Sequence, residues 1–360
     1  MDVSHEGLRD AVAEVRRAPE FSTSKIGRFA ARVRTLITVL HQRGLHLPEH
    51  DLWLDPQRAQ ALAFVSHAHG DHIARHREVL MTAATARFMR ARLSGQRTEH
   101  IAAFGETREF AGGHATLLPA GHILGSAQFY FETDAGSLLY TGDFKLAPGL
   151  TAEPCEWHRA DTLIMETTFG LPRYRMPPRA EVAARVVAFC RETLDSGAVP
   201  VLLGYSLGKA QEIVRIVLDA GLTPMLHESV WEMTAIHRGL CPDFPGGSVR
   251  FRGSSAKGHV VVFPPNAASA PLEKIGPRRT AILTGWALDP GAKYRSRCDE
   301  AFPLSDHADY DELLQYVELV QPRRVLTVHG FAAEFAADLR RRGIEAWALA
   351  QENQLEFRLA

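Results

Sequence analysis

Apolar residues in the first forty positions recur every three or four places, and that spacing predicts two amphipathic helices. Leu8, Val12 and Val15 mark the first, over residues 8–18; Ile26, Phe29, Val33, Leu36, Ile37 and Leu40 mark the second, over 25–42. Together they make an N-terminal helical extension, residues 1–44. From residue 52 the period shortens. LWLDP and ALAFVSH are short strand-like runs that end in polar clusters, and ATLLPAGH, AQFYFET, SLLYTGDF and DTLIMETT continue the pattern. Between them an Arg-rich segment, 74–95, reads as helical. LPRYRMPPRAE, beginning at residue 171, is a Pro-rich, basic linker that leads into a helix over 179–196. The run VPVLLGYSLGKAQEIVRIVLDAG is a buried strand, a Gly-containing turn and a helix, the unit of a parallel α/β layer. TPMLHES, HVVVFPP and RTAILTGW repeat the buried-strand signature. Beyond residue 300 come a polar turn, a helix over 309–320, the strand RRVLTVHG, a helix over 331–342 and a last pair of strands. There is no internal repeat and no low-complexity tract.

Composition narrows the class. A chain of 360 residues, 46% apolar and 23% charged, is long enough for two domains or for one domain with an insertion. That excludes a disordered tail, a collagen and a small disulfide scaffold. No stretch approaches the roughly 18 uninterrupted apolar residues of a membrane helix, and the charged N-terminus lacks the apolar run of a secretory signal. The expectation is a cytoplasmic protein with no membrane partner. Cys155, Cys190, Cys241 and Cys298 lie dozens of residues apart with no CxxC pair, which predicts reduced thiols rather than a zinc cluster. Histidine is the outlier, with 17 residues, several beside aspartates. Charge is unevenly spread as well. Residues 171–300 carry five more basic than acidic groups, and the remainder six more acidic than basic. A basic middle segment over an acidic, metal-binding body suits a polyanionic substrate held between them.

The strongest chemical signal is Val65-Ser66-His67-Ala68-His69-Gly70-Asp71-His72. On a strand end His67 and His69 point to one face, because side chains alternate with period two. A turn at Gly70 then brings Asp71 and His72 back toward that pocket from the start of a helix. Such donors suit Zn²⁺ or Mn²⁺, and the set cannot choose between them. Pro119-Ala120-Gly121-His122 and Tyr140-Thr141-Gly142-Asp143 each place a ligand type after a strand and a glycine. Each alone is more often a turn residue. Beside the first run they complete a site for two divalent ions, with Asp143 able to bridge. Asp55, which ends LWLD, orients a ligand histidine from behind.

These residues resemble the metallo-β-lactamase superfamily. The resemblance implies an α/β fold, a four-layered αββα sandwich, in which His67, His69, His122 and Asp143 hold one metal and Asp71, His72 and Asp143 the other. The later histidines discriminate within it. His307, in Ser305-Asp306-His307-Ala308-Asp309, follows Asp143 by 164 residues, and His329, in Val325-Leu326-Thr327-Val328-His329-Gly330, comes later still. This is similar to the β-CASP nuclease branch, in which a second α/β domain is inserted into the lactamase fold and closes over nucleic acid. Residues 45–170 and 301–360 then form the metallo-β-lactamase domain, and 171–300 the inserted β-CASP domain. The branch's motif A acid matches Glu166, its motif B histidine His307 and its motif C histidine His329, the last available to the second metal.

The expected chemistry is phosphodiester hydrolysis. Hydroxide bridging two metals supplies a nucleophile at neutral pH, and His307 donates a proton to the leaving oxygen, kept cationic by Glu166 or Asp306. Asp71, Asp143 and Glu166 complete the catalytic set. Ser206, Gly208 and Lys209, between a buried strand and a helix, read either as a phosphate-holding turn or as a plain turn with a solvated lysine. Arg252, Ser254 and Ser255 are further candidates for backbone phosphates. Trp286 reads as a base-stacking residue or as core. Glu166-Thr167-Thr168-Phe169-Gly170-Leu171-Pro172, Tyr205-Ser206-Leu207-Gly208-Lys209-Ala210-Gln211 and His329-Gly330-Phe331 are similar to bacterial ligase-associated DNA exonucleases, also called mRNA 3′-end-processing-factor-like. The expectation is a 5′ exonuclease on single-stranded DNA in repair, linked functionally to an ATP-dependent DNA ligase and a helicase. An RNA-processing exo- or endonuclease is the alternative, because a motif C histidine is the choice of RNA-cleaving members. A small-ester metallohydrolase would explain the HxHxDH run but not the 164-residue interval, and a non-enzymatic nucleic-acid-binding subunit would be expected to have lost ligands.

Overall fold

A computed structural model describes residues 36–42, 44–253, 256–267, 272–273 and 275–349. The expected helix over 8–18, most of that over 25–42, Ser254 and Ser255 lie outside the described residues.

The chain first lays down a six-stranded sheet: β1 (Leu40–His41), β2 (Leu45–Leu47), β3 (Leu52–Leu54), β4 (Leu62–Phe64), β5 (Glu78–Met81) and β6 (Thr98–Ile101), in that order. Helix α1 (Ala83–Arg92) follows β5. A second sheet begins with β7 (Thr107–Phe110), β8 (Gly113–Pro119), β9 (Ala127–Thr133) and β10 (Gly136–Tyr140), paired antiparallel, and β11 (Thr162–Glu166), parallel to β10. The chain then leaves it. Helix α2 (Arg179–Asp195), β12 (Val199–Leu203), α3 (Lys209–Asp219), β13 (Pro224–Leu226), α4 (Glu228–Leu240), β14 (Val249–Arg250), β15 (Val260–Phe263), β16 (Arg278–Leu283) and β17 (Glu300–Phe302) build a third sheet, all parallel, ordered β14-β13-β15-β12-β16-β17. After α5 (Tyr310–Val320) the chain returns to the second sheet as β18 (Arg324–Val328), parallel to β11, followed by α6 (Ala332–Arg341) and the edge strand β19 (Ala346–Ala348).

Alternation along the strands explains the layers. Leu138 and Tyr140 of β10 face the first sheet, in a core with Leu47, Leu54, Phe64, Phe129 and Ile164. Leu139, between them, faces the other way and packs with Leu163, Leu313 and Tyr316 of α5 and Phe335 and Leu339 of α6. On the far side of the first sheet, Val79 and Met81 pack on Phe88 and Met89 of α1. The order is helix, sheet, sheet, helix: an αββα sandwich, two half-buried sheets each covered on the remaining face. The third sheet is buried on both faces, as an all-parallel sheet requires. Leu202, Val262 and Leu283 meet α2, α3 and α4, while Val201, Val261 and Phe263 pack with Leu272 and Ile275.

Three expectations about elements need correction. Residues 36–42 are not helical: Ile37 is buried in the inter-sheet core and Leu40–His41 pair with Leu45 and His46, so the first sheet begins inside the expected extension. Segment 74–95 is not one helix, since Glu78–Met81 is a strand between β4 and β6. The third sheet runs to Phe302, past the expected boundary at 300. Of the last strand pair, β19 falls within the described residues.

Candidate metal centre

Strand direction gathers the polar residues. β8, β10, β11 and β18 all run the same way, so the residues that follow them emerge at one edge of the second sheet. His122, Asp143, Glu166 and His329 stand at that edge. The first sheet contributes the run after β4, tied to the same edge where the Ala127 N–H donates to Ser66 O at 2.9 Å. Two glycines make the approach possible. Gly142 (φ +56°) packs so closely that a Cβ would lie 2.6 Å from the Ser66 Cβ, and a Cβ on Gly121 (φ +75°) would lie 2.2 Å from Lys145 O. The strand-glycine-ligand pattern therefore marks places where only a bare backbone fits.

His67, His69, His122 and Asp143 each offer a ligand atom within 4.8 Å of the others. Asp143 Oδ2 lies 3.6 Å from His67 Nε2, 3.3 Å from His72 Nε2 and 3.9 Å from His122 Nε2. Hydrogen bonds behind the rings fix which nitrogen faces inward. His69 Nε2 donates to Leu207 O at 3.0 Å and His122 Nδ1 to Asp306 O at 2.8 Å, since a carbonyl can only accept. His72 Nδ1 donates to Asp55 Oδ2 at 3.0 Å. The Ser66 hydroxyl donates to Asp55 Oδ2 at 2.5 Å, so toward His67 Nδ1, 2.9 Å away, it accepts. All four rings therefore turn their remaining nitrogen, Nε2 of His67, His72 and His122 and Nδ1 of His69, away from these partners. His67 Nε2 is fully buried with no hydrogen-bond partner among the described residues. A buried imidazole nitrogen left bare beside a carboxylate fits a divalent cation. Burial lowers the pKa of His67 and His122, and that of His69 to about 4, which leaves them neutral and ready to ligate at pH 7. His72 goes the other way. Burial alone would lower it, but Asp143 and Asp55 raise it well above the usual value, so a cation here has to displace a proton.

Asp55 sits beneath this set. Its carboxylate accepts from the Ser66 N–H at 2.7 Å, the Ser66 hydroxyl, His72 and the Tyr140 hydroxyl at 2.9 Å, and its backbone is left-handed (φ +44°). A non-glycine residue held there costs about 1–2 kcal/mol, offset by those four bonds. Asp55→Ala is expected to weaken metal binding about 10–100-fold in a chelator-competition titration. Unchanged affinity would mean that packing, and not Asp55, orients His72.

His307 lies against the cluster, its ring 4.7 Å from that of His122. Its Nδ1 donates to Glu166 Oε1 at 2.8 Å, and the buried Glu166 also accepts from the Phe144 N–H at 3.0 Å and from the Thr168 N–H at 3.3 Å and hydroxyl. The segment is fixed just beyond, where Asp309 and Glu312 close a capping box at the start of α5. Burial lowers the His307 pKa, but Glu166, Asp143 and Asp306 outweigh it and lift it to about 10.

Other expected residues fall less tightly. Asp71 and His72 stand on a turn, the His72 N–H donating to His69 O at 3.2 Å, and not at a helix start. Asp71 is 70% exposed at its side chain and 3.7 Å from His72 Nε2. The His329 ring is 6.2 Å from that of His72, on a left-handed backbone (φ +58°). The turn of Ser206, Gly208 and Lys209 matches neither of its two readings. Lys209 is 2% exposed; its Nζ donates to Leu304 O at 2.8 Å and lies 3.0 Å from Asp306 Oδ1. The Gly208 N–H donates to Gln211 Oε1 at 2.7 Å, so the donors expected to hold phosphate are spent inside the protein. Ser206 is half-buried and Arg252 exposed. Trp286 packs with Phe169, Tyr174 and Phe331. Sequence reading missed Ser66 and Tyr140, which buttress Asp55, and Leu207, whose carbonyl leaves no trace in residue type.

Comparisons with known proteins agree with this architecture. Residues 294–349 match the family described as the Zn-dependent metallo-hydrolase RNA specificity domain. A probable DNA ligase of Opitutus terrae is 51% identical over 322 residues, 89% of this chain and 32% of that protein. The 5′ exonuclease Apollo of Gallus gallus is 33% identical over 279 residues, 74% of this chain and 58% of that protein. The chain thus spans about a third of the first relative and somewhat over half of the second. A crystal structure of a protein of unknown function from Enterococcus faecalis V583 shares the fold at a TM-score of 0.57 and 14% identity, over 80% of this chain and 78% of that one. With the αββα sandwich, the third sheet set between β11 and β18 and the divalent-metal cluster at the strand ends, the chain belongs to the metallo-β-lactamase superfamily, in its β-CASP nuclease branch.

Proposed function

We propose that the protein is a two-metal phosphodiesterase acting on nucleic acid, and that its substrate is single-stranded DNA degraded from the 5′ end. The observation that carries this reading is the buried Glu166–His307 pair set against four histidines whose free nitrogens are fixed by their outer hydrogen bonds. His67, His69, His122 and Asp143 would hold one ion. Asp71, His72 and Asp143, with His329 beside them, would hold the second, either Zn²⁺ or Mn²⁺. When bound, the ions supply Lewis acidity and a water nucleophilic at neutral pH.

The chain's own residues do the rest. Glu166 takes the Nδ1–H of His307 and so presents Nε2–H to the site, where it donates a proton to the leaving oxygen of the scissile ester. Ser66 and Asp55 keep His67 and His72 in the ligating tautomer. The excess of basic groups in 171–300, which we assign to the inserted lobe, supports a polyanion lying across the site. The DNA reading, with a link to a DNA ligase, draws on the relatives named a probable DNA ligase and a 5′ exonuclease. A second reading, RNA processing, is favoured by the RNA specificity domain matched over 294–349 and by His329.

The deciding assay gives the purified chain, with Mn²⁺ or Zn²⁺, matched single strands of DNA and RNA labelled at either end. Early release of a labelled mononucleotide from the 5′ end of DNA is the expected result. Preferential RNA cleavage or internal cuts would replace it with the second reading, and no cleavage of either would remove both.

A further inference from the structure

Two buried lysines have no part in the chemistry above. Lys145 donates from Nζ to Ser305 O at 2.9 Å, and Lys209, the first residue of α3, donates to Leu304 O at 2.8 Å. The next carbonyl, Asp306 O, accepts from the ligand candidate His122 at 2.8 Å, and the Asp306 carboxylate pairs with Lys209 at 3.0 Å. Three successive carbonyls before His307 are therefore each held by a different buried donor. Two residues before Lys209, Leu207 O takes the Nε2–H of His69 at 3.0 Å. The outer hydrogen bonds of His69 and His122 thus both depend on one turn that belongs to the third sheet: His69 directly, His122 through Asp306.

We propose that the turn Leu207–Lys209 is a positioning element for the metal centre. It sets tautomer and direction for two ligand histidines, so that metal affinity in the αββα layers depends on the third-sheet layer being docked against them. The inference rests on reading the His/Asp cluster as a metal site. Its logic is that a ligand ring is held as firmly as the acceptor behind it, and here those acceptors lie 138 and 184 residues along the chain from their histidines. The turn has no slack. Gly208 (φ +86°) lies where a Cβ would come within 2.2 Å of Ile123 Cγ2, next to His122.

The test is a chelator-competition titration of the full chain with Zn²⁺, below the unfolding midpoint of every variant. Gly208→Ala pushes the turn off Ile123, and Lys209→Met releases Leu304 and Asp306. Because Lys209→Met leaves the Asp306 carboxylate buried without its lysine, Lys209→Met/Asp306→Asn, which removes both charges, replaces it if that variant does not fold. Each folded variant is expected to bind Zn²⁺ about 10–100-fold more weakly than the unaltered chain. A lowered unfolding midpoint with unchanged Zn²⁺ affinity would overturn the proposal, because it is the signature of a purely structural turn. If the unaltered chain took up no Zn²⁺, the metal-site reading itself would fail, a result distinct from equal affinities.

Discussion

His67→Ala is expected to lose the ion assigned to His67, His69, His122 and Asp143 and to lower hydrolysis by several orders of magnitude, ~10⁴-fold or more, while leaving the apo-protein folded. His67 is the cleanest of the ligand candidates to remove. His69 also holds Leu207 of the third-sheet layer and His122 holds Asp306, so their loss would disturb packing between layers as well as the cluster. His67 donates only to Ser66, and its Nε2 is a buried polar atom with no partner among the described residues. The apo-protein therefore already bears the desolvation of that nitrogen, about 1–3 kcal/mol, and alanine relieves it while opening a small cavity. The two effects oppose each other, so the apo unfolding midpoint should move little. The difference appears when metal is added. Zn²⁺ or Mn²⁺ should raise the midpoint of the unaltered chain more than that of the variant, since each site stabilises only the state that binds there. Metal per chain, measured after dialysis, gives the second readout. Full activity without bound metal would sink the site assignment.

The metal cluster could be read from sequence because its determinants are local. In Ser66–His72 the extended run after β4 and one turn set His67, His69 and His72 within seven residues while Asp71 stays largely exposed, and Gly121 and Gly142 signal close approach before His122 and Asp143. What the sequence left out is set by distant partners. Lys209 looks like any helix-start lysine until Asp306, nearly a hundred positions on, is folded against it. A donor at a helix start binds phosphate only if nothing internal has claimed it, and here Gln211 and Leu304 have. The misplaced elements have the same origin. Leu36, Ile37 and Leu40 fit a helical period, yet Ile37 is buried between the two sheets and Leu40 pairs with His46, so tertiary contacts override a local pattern. Glu78–Met81 is too short a run to announce itself beside a helix, and only the sheet edges of β4 and β6 make it a strand.

That same dependence on distant partners bears on the inserted layer. A small-ester hydrolase of this superfamily would need the His/Asp cluster and little else. Here the third sheet supplies the acceptor behind His69 and the lysine that anchors Asp306, so the insertion is built into the centre. A chain with residues 171–300 deleted would lose both, along with the basic surplus.

His307→Ala should lower kcat by about 10²–10⁴-fold, the usual cost of losing a general acid, with metal content unchanged. The outcome matters because geometry alone permits another role. His307 also lies in groups with His122 and Asp306, and with Asp143 and Glu166, compact enough to hold an ion. Its hydrogen bond to Glu166 argues for the acid: with Nδ1–H given to a buried carboxylate, Nε2 carries the transferable proton, and the pKa lifted to about 10 keeps the ring cationic at neutral pH. Divalent ions bound beside Asp143 would oppose that shift, since a nearby positive charge disfavours the cationic ring. Two measurements separate the roles. On a diester with a nitrophenolate leaving group, which departs without a proton, the deficit of His307→Ala should shrink sharply, whereas a lost ligand would slow both substrates alike. The alkaline fall in rate should also disappear from the variant, because the group that deprotonates there is gone. Parallel losses of metal and rate on both substrates would make His307 a ligand and leave Glu166 to hold it in place.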